Sequence, residues 1–195
     1  MTVGSSPAIF FAAALVWAAC GDDSQAVDPK QLPKMVLQME DLPVGSRVTE
    51  TCGEPSEMGD GLPPLSQVVA FDLPTSSSSA SVCLRSGVRV FDSASEARDA
   101  VGGFDSLADD YERQVEQSGG KFEAIVLSTV GDESRLWVIR REAAELISLS
   151  FSVREVVGLI VVDASADSAM WKERAVELAR VQVDRMESAL QLTNK

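Results

Sequence analysis

An almost wholly apolar run at positions 7–19 opens the chain: Pro-Ala-Ile-Phe-Phe-Ala-Ala-Ala-Leu-Val-Trp-Ala-Ala. After it, apolar positions recur with helical or strand periods. Leu32, Met35, Val36 and Met39 share one face of a short helix, with Pro33 tolerated in its first turn. Asp41-Leu42-Pro43-Val44-Gly45 ends it, because Pro43 cannot continue a helix and Gly45 permits a turn. Positions 46–51 and 68–73 read as strands. Positions 82–91 read as a third, with Ser86-Gly87 predicting a bulge or tight turn.

Ala97, Val101, Phe104, Ala108, Tyr111 and Val115 then recur at steps of four and three. This stripe predicts one helix over 94–117, opened by a Ser93/Glu96 capping box and stopped by Gly119-Gly120. Gly102-Gly103 inside it predicts close packing or a kink. Four strands follow, at 122–128, 134–141, 144–153 and 156–162, the last two rich in Ile, Val and Leu as central strands are. Leu136, Val138 and Arg140 fall on one face, Trp137 and Ile139 on the other. A last helix, capped by Asp167 or Ser168, runs to about Gln191 with Trp171, Ala175, Leu178, Ala179, Val183, Met186 and Leu190 on one face. Strands in runs argue for an α+β fold, a single antiparallel sheet packed on one face against two long α-helices. One domain over 31–195 is long enough to bury about 70% of its unfolded surface.

The opening run is too short to cross a bilayer as a helix, which takes about 20 residues, and has the length of a signal-peptide core. It ends in Ala18-Ala19-Cys20 and turns polar at once with Gly21-Asp22-Asp23. This resembles the lipobox of bacterial lipoproteins. The resemblance implies that 1–19 is a lipoprotein signal peptide and that the Cys20 thiol receives a diacylglyceryl group. Residues 20–30 then form the lipidated cysteine and a flexible tether, with the domain on the extracytoplasmic side of a cell membrane or outer envelope. Position 17 is Trp where the class prefers Leu, and no Lys or Arg precedes Lys30, so the reading frame is expected to begin upstream. The alternative for this segment is a buried N-terminal helix with an incidental cysteine.

With Cys20 lipidated, Cys52 and Cys83 remain, and an exported chain with an even remainder suggests one disulfide between them. Closing that loop is worth roughly 3–4 kcal/mol in the chain-entropy model. Two free buried thiols are the alternative. A metal site is not expected from two cysteines without Cys-x-x-Cys spacing or histidine.

The segment at 32–45, with Asp41-Leu42-Pro43-x-Gly45, and the turn Val130-Gly131-Asp132-Glu133 before a strand carrying Arg140-Arg141 resemble a diffuse set of bacterial envelope lipoproteins. The resemblance implies a PsbP-like α+β sandwich or a fold similar to the extracellular sensor domains of some bacterial Ser/Thr kinases. It carries no catalytic residues over.

Charge and composition narrow the function. The 195 residues hold 17 Lys+Arg against 30 Asp+Glu, a net charge of −13, with no histidine. The acidic balance excludes a basic nucleic-acid footprint. Imidazole-based triads, His-ligated zinc and His pH switches are excluded too. No Gly-x-Ser-x-Gly elbow or phosphate-binding glycine loop occurs. Lys34, Lys121 and Lys172 sit where solvated lysines would, against a Ser-Lys dyad. Asp105, Asp109, Glu112 and Glu116 share one helix face and suggest weak Ca²⁺ binding or, more simply, a solvated surface. Trp137 and Trp171 read as core, or as a ligand cage. Arg140-Arg141 reads as meeting an anionic partner, or as a salt bridge to the acidic helix.

These readings converge on a membrane-anchored envelope lipoprotein with a non-catalytic binding or accessory role, no cofactor and no metal. Its partners are the membrane, through the lipid, and an envelope protein or small ligand. The alternative is a ligand-sensing module with a cleft between sheet and helix; a His-independent hydrolase is the remote one.

Overall fold

The computed structural model describes residues 27–50, 65–75, 82–103, 105–142, 144–165 and 169–192. Seven strands form one antiparallel sheet: β1 (Arg47–Val48), β2 (Ser66–Leu73), β3 (Val82–Val90), β4 (Lys121–Val126), β5 (Glu133–Arg141), β6 (Ala144–Val153) and β7 (Val156–Ser165). Their order is β1-β2-β3-β7-β6-β5-β4. The chain leaves β3, crosses to the far edge through helices, and returns as the meander β4 to β7, so that β7 closes onto β3. The helices are α1 (Leu32–Met35), α2 (Ala94–Gly102), α3 (Asp105–Gln117) and α4 (Ala169–Leu192). The α+β class follows.

Three expectations are corrected. The helix predicted over 94–117 is two helices. α2 ends at Gly102, with the Gly103 N–H bonded to Asp99 and Val101 carbonyls, and α3 restarts at Asp105. Two successive glycines are poor helix formers, and the break lets α2 pack on β5, β6 and β7 while α3 crosses to β4. Second, the long helices do not share a face. α4 packs on β6 and β7 from the other side, beside α1. The alternation along β7 shows this: Val156, Ile160, Val162 and Ala164 join the core with Ala175, Leu178 and Met186 of α4, whereas Val157 joins Ala97 and Val101 of α2. A strand apolar on both sides needs cover on both sides. Third, Ser86-Gly87 makes neither bulge nor turn, because the β3–β7 register runs unbroken from Val82↔Ala164 to Val90↔Val156.

The order of the fold begins earlier than the expected tether boundary. Val27 is buried, the Asp28 carboxylate accepts the Lys30 N–H, and Leu32, Met35, Val36, Leu37 and Leu42 are all buried in the α4-side core.

Candidate functional site

The two short motifs behind the family resemblance do structural work. Asp41 accepts the Gln38 N–H at 2.7 Å and the Arg185 Nε–H at 2.6 Å. Leu42 is buried, the Pro43 carbonyl accepts both the N–H and the hydroxyl of Ser46, and Gly45 has φ +97°. In the second motif Val130 is buried and Gly131 (φ +62°) lies so close to the Ser152 carbonyl that a Cβ has no room. Asp132 donates its N–H to the Ser152 carbonyl, and its carboxylate accepts the Arg154 N–H at 2.8 Å. That clamps the β4–β5 turn onto the β6–β7 hairpin, where Arg154 adopts a left-handed φ of +54°.

Of the cysteines, Cys20 and Cys52 lie outside the described residues. Cys83, half-buried on β3, is disulfide-bonded.

The acidic face of α3 is partly engaged. Asp105 is held by Arg135 through a two-point contact, Nε–H to Oδ1 at 2.7 Å and Nη2–H to Oδ2 at 2.8 Å. That hydrogen bonding keeps the Asp105 carboxyl below, and the Arg135 guanidinium above, their ordinary ranges. The salt bridge to the acidic helix therefore comes from Arg135. Arg140 instead pairs with Glu123 on β4 at 3.2 Å and with buried Glu145 on β6 at 2.7 Å, and Lys172 reaches Glu123 at 3.0 Å. The Lys172 and Arg140 contacts lower the Glu123 pKa. Arg141 is exposed at the end of β5. Among the described residues no group of three or more Cys, Asp or Glu side chains is arranged to hold a metal ion.

Trp137 and Trp171 are both buried. Tyr111 and Phe122 pack edge-on against Trp137, with centroids 5.1 and 5.4 Å away. Trp171 sits in the α4-side core. Of the lysines named above, Lys34 and Lys121 are exposed and Lys172 is in the ion pair just given.

Two surface features remain as candidates. A shallow groove of about 460 Å³ lies beside α4, lined by Lys34, Asp41, Val181, Asp184, Arg185, Ser188 and Ala189. Its central cation is Arg185, bound to Asp41 and to Glu40, whose hydrogen bonds raise its pKa. The other feature is a half-face of the sheet. On the side that carries α2 and α3, β3 presents Cys83, Arg85, Gly87 and Arg89, since Val82, Leu84, Val88 and Val90 point into the α4-side core. Arg85 lies between Ala70 and Val161, Gly87 between Val68 and Leu159, and Arg89 between Ser66 and Val157. The Arg89 guanidinium stands 5.2 Å from the centroid of Phe91, and burial pushes its pKa down to about 10. The sequence reading missed these arginines. Their signal was the two-residue alternation of 83, 85, 87 and 89, hidden by treating Ser86-Gly87 as a break.

No protein-family model, curated protein or solved structure matches the chain. No helix among the described residues is long and apolar enough to cross a membrane.

Proposed function

We propose that this chain is a lipid-anchored protein of the bacterial cell envelope, attached through Cys20, whose α+β domain works by binding or as an accessory and not by catalysis. The observation that carries the reading is the apolar run at 7–19 closing on Ala18-Ala19-Cys20 and followed at once by Gly21-Asp22-Asp23. The early start of the fold supports it. Only six residues, 21–26, separate Cys20 from buried Val27. Their contour length is at most about 22 Å, so an anchored domain stays next to the membrane. Charge supports it as well. No Asp, Glu, Lys or Arg precedes Cys20, so all of the −13 (17 − 30) belongs to the exported part. An acidic body is repelled by an anionic bilayer and is held off it as a tethered module facing outward. We further propose that Cys83 pairs with Cys52.

The groove beside α4 favours a second reading, a sensor of a small ligand in which Lys34 and Arg185 provide the positive charge.

The test is expression of the full chain in a bacterial host, followed by detergent phase partitioning and intact mass measurement. The native chain is expected in the detergent phase with a diacylglyceryl mass on a fragment beginning at Cys20. Cys20→Ala is expected in the aqueous phase. Equal partitioning of the two defeats the anchoring. Thermal melts across a library of small anions and zwitterions decide between accessory and sensor, since a saturable rise abolished by Arg185→Ala belongs only to the sensor.

A further inference from the structure

The two edges of the sheet differ. β1 closes one with only two residues, Arg47–Val48, whereas β4 closes the other with six, Lys121–Val126. Among the described residues β4 pairs only with β5, in an unbroken register from Lys121↔Arg140 to Val126↔Arg135. In the next pair the Leu127 N–H donates to the Ser134 carbonyl at 3.4 Å. Bonded and non-bonded pairs alternate along an antiparallel ladder. The N–H and C=O groups of Lys121, Glu123 and Ile125 therefore turn to β5, and those of Phe122, Ala124 and Val126 turn outward. Exposed edges are normally blunted by proline, lysine, a bulge or a covering element. β4 has no proline and no bulge, and its one lysine stands at the end.

The rim of β4 is open and apolar. Val126 is 66% exposed, Leu107 of α3 is 41% exposed, and Ala124 is exposed too. The β5 residues opposite this rim are covered: Trp137, opposite Ala124, by Tyr111, and Arg135, opposite Val126, by Asp105. α3 thus reaches past β4 to β5 and leaves the rim in solvent.

Charge narrows what docks here. A body with a net charge of −13 repels a second copy except where the approaching strip carries no net charge. β4 is such a strip. Its two charged residues, Lys121 and Glu123, cancel, and Glu123 is already held by Lys172 and Arg140. Its sequence is also self-complementary. With Ala124 on a two-fold axis, Phe122 faces the second copy's Val126, Glu123 faces its Ile125, and Ala124 faces Ala124. Every outward group then meets an outward group, and the aromatic and β-branched side chains make a favourable cross-strand pair. With Glu123 on the axis, two carboxylates stand opposite each other and Val126 lies beyond the end of the second strand.

We infer that β4 pairs antiparallel with β4 of a second copy, with Ala124 at the two-fold axis, to give one sheet continuous through a homodimer. The pairing covers the exposed Ala124 and Val126. It depends neither on the lipid anchor nor on the cysteine pairing proposed above.

The test is sedimentation of the full chain in density-matched detergent, with micelles in excess over protein, across a range of concentrations. A reversible dimer is expected. Ala124→Pro removes an outward N–H and spares the β4–β5 ladder, and Val126→Lys sets a charge against the second copy's Phe122. Each is expected to weaken association at least tenfold while the far-UV spectrum stays native. On oxidation, Ala124→Cys is expected to link 124 to 124 between copies, because a bonded pair sets its Cα atoms about 5.5 Å apart, within disulfide reach. Glu123→Cys is expected to link at least tenfold more slowly, its two Cα atoms being about 8 Å apart. A native chain that is monomeric at every concentration overturns the dimer. So does a dimer that both Ala124→Pro and Val126→Lys leave intact, since its interface lies elsewhere. A 123–123 link that forms faster than the 124–124 link overturns the register. An Ala124→Cys chain that links instead to a different protein of the host envelope gives the edge to another partner and also overturns the inference. If Ala124→Pro does not fold, Val126→Lys decides, because that side chain already stands in solvent.

Discussion

Ser86 on β3 donates its hydroxyl to Gln182 Oε1 on α4 at 2.9 Å, and both side chains are completely buried. The same Ser86 oxygen accepts the Leu37 N–H at 2.9 Å, and Gln182 Nε2 donates to the Gly87 carbonyl at 2.8 Å. Three parts of the chain far apart in sequence meet here: the N-terminal segment, a central strand and the last helix. Each polar group is satisfied by another, the condition under which a buried network costs little.

Removing one member leaves the others unpaired in an apolar core. Gln182→Leu strands the Ser86 hydroxyl, and Ser86→Ala strands the Leu37 N–H. Each is expected to lower unfolding stability by about 1–3 kcal/mol. Urea melts check this, and a midpoint unchanged in both variants would show that the network does not bind the layers together. The double variant should cost less than the sum of the singles, because the groups are coupled.

Gly158 on β7 faces Phe151 on β6 in register, and the Phe151 ring fills the space a Cβ would need. Gly158→Ala therefore forces the ring out of place and is expected to cost about 1–3 kcal/mol, as overpacking does. Phe151→Ala leaves a cavity and is expected to cost about 3–5 kcal/mol. In Phe151→Ala/Gly158→Ala the alanine should no longer be penalised, which thermal or urea melts of the four proteins measure.

Gly102 at the end of α2 and Gly120 beyond the end of α3 should respond with opposite sign. A Cβ at Gly102 meets nothing within 4 Å, and its φ is not left-handed, so Gly102→Ala is expected to stabilise by about 0.5–1 kcal/mol. A Cβ at Gly120 would stand 2.8 Å from Val115 Cγ1 and 3.0 Å from the Arg140 carbonyl, so Gly120→Ala is expected to destabilise. Melting temperatures that move in the same direction for both would contradict this.

Acid should weaken the ion pairs of Asp105 and Glu123. The folded-state pKa of Asp105 is depressed by Arg135 and that of Glu123 by Lys172 and Arg140. A depressed carboxyl contributes stability that is complete above its unfolded pKa, about 3.9 for Asp and 4.3 for Glu, and is lost as pH falls through the folded value. Stability is thus expected to be flat on their account near neutrality and to decline below about pH 4. Asp105→Asn should flatten that decline and leave the rest of the profile unchanged, as melts between neutral and strongly acidic pH will show.

Much of the fold was legible locally. The period-two alternation of Leu136-Trp137-Val138-Ile139 predicted which residue faces which side, and both faces proved buried. Ser93 capped α2, its hydroxyl accepting the Glu96 N–H, which is one half of the capping box that the Ser93/Glu96 spacing predicted. The failures arose where local and global preferences diverge. Gly102-Gly103 permits either a kinked helix or two helices, and the choice depends on α3 finding β4. The N-terminal segment reads as tether plus a short helix, yet it supplies core residues from Val27 onward because the sheet needs cover beside α4. For the candidate sites, the arginine pair Arg140-Arg141 drew attention by being adjacent. Adjacent strand residues point to opposite faces, whereas Arg85 and Arg89, four apart, share one.

The sequence by itself determined most of the elements, the acidic balance, the missing imidazole and the Ala-Ala-Cys junction, since each depends on residue type and near-neighbour spacing alone. Only the tertiary structure decided that the helices lie on opposite faces, that Gln182 answers Ser86, and that two arginines share a strip of sheet. Those depend on which strands become neighbours. That pairing is set by burying apolar surface on both sides of β6 and β7 at once, a requirement that no stretch of chain shorter than the domain can express.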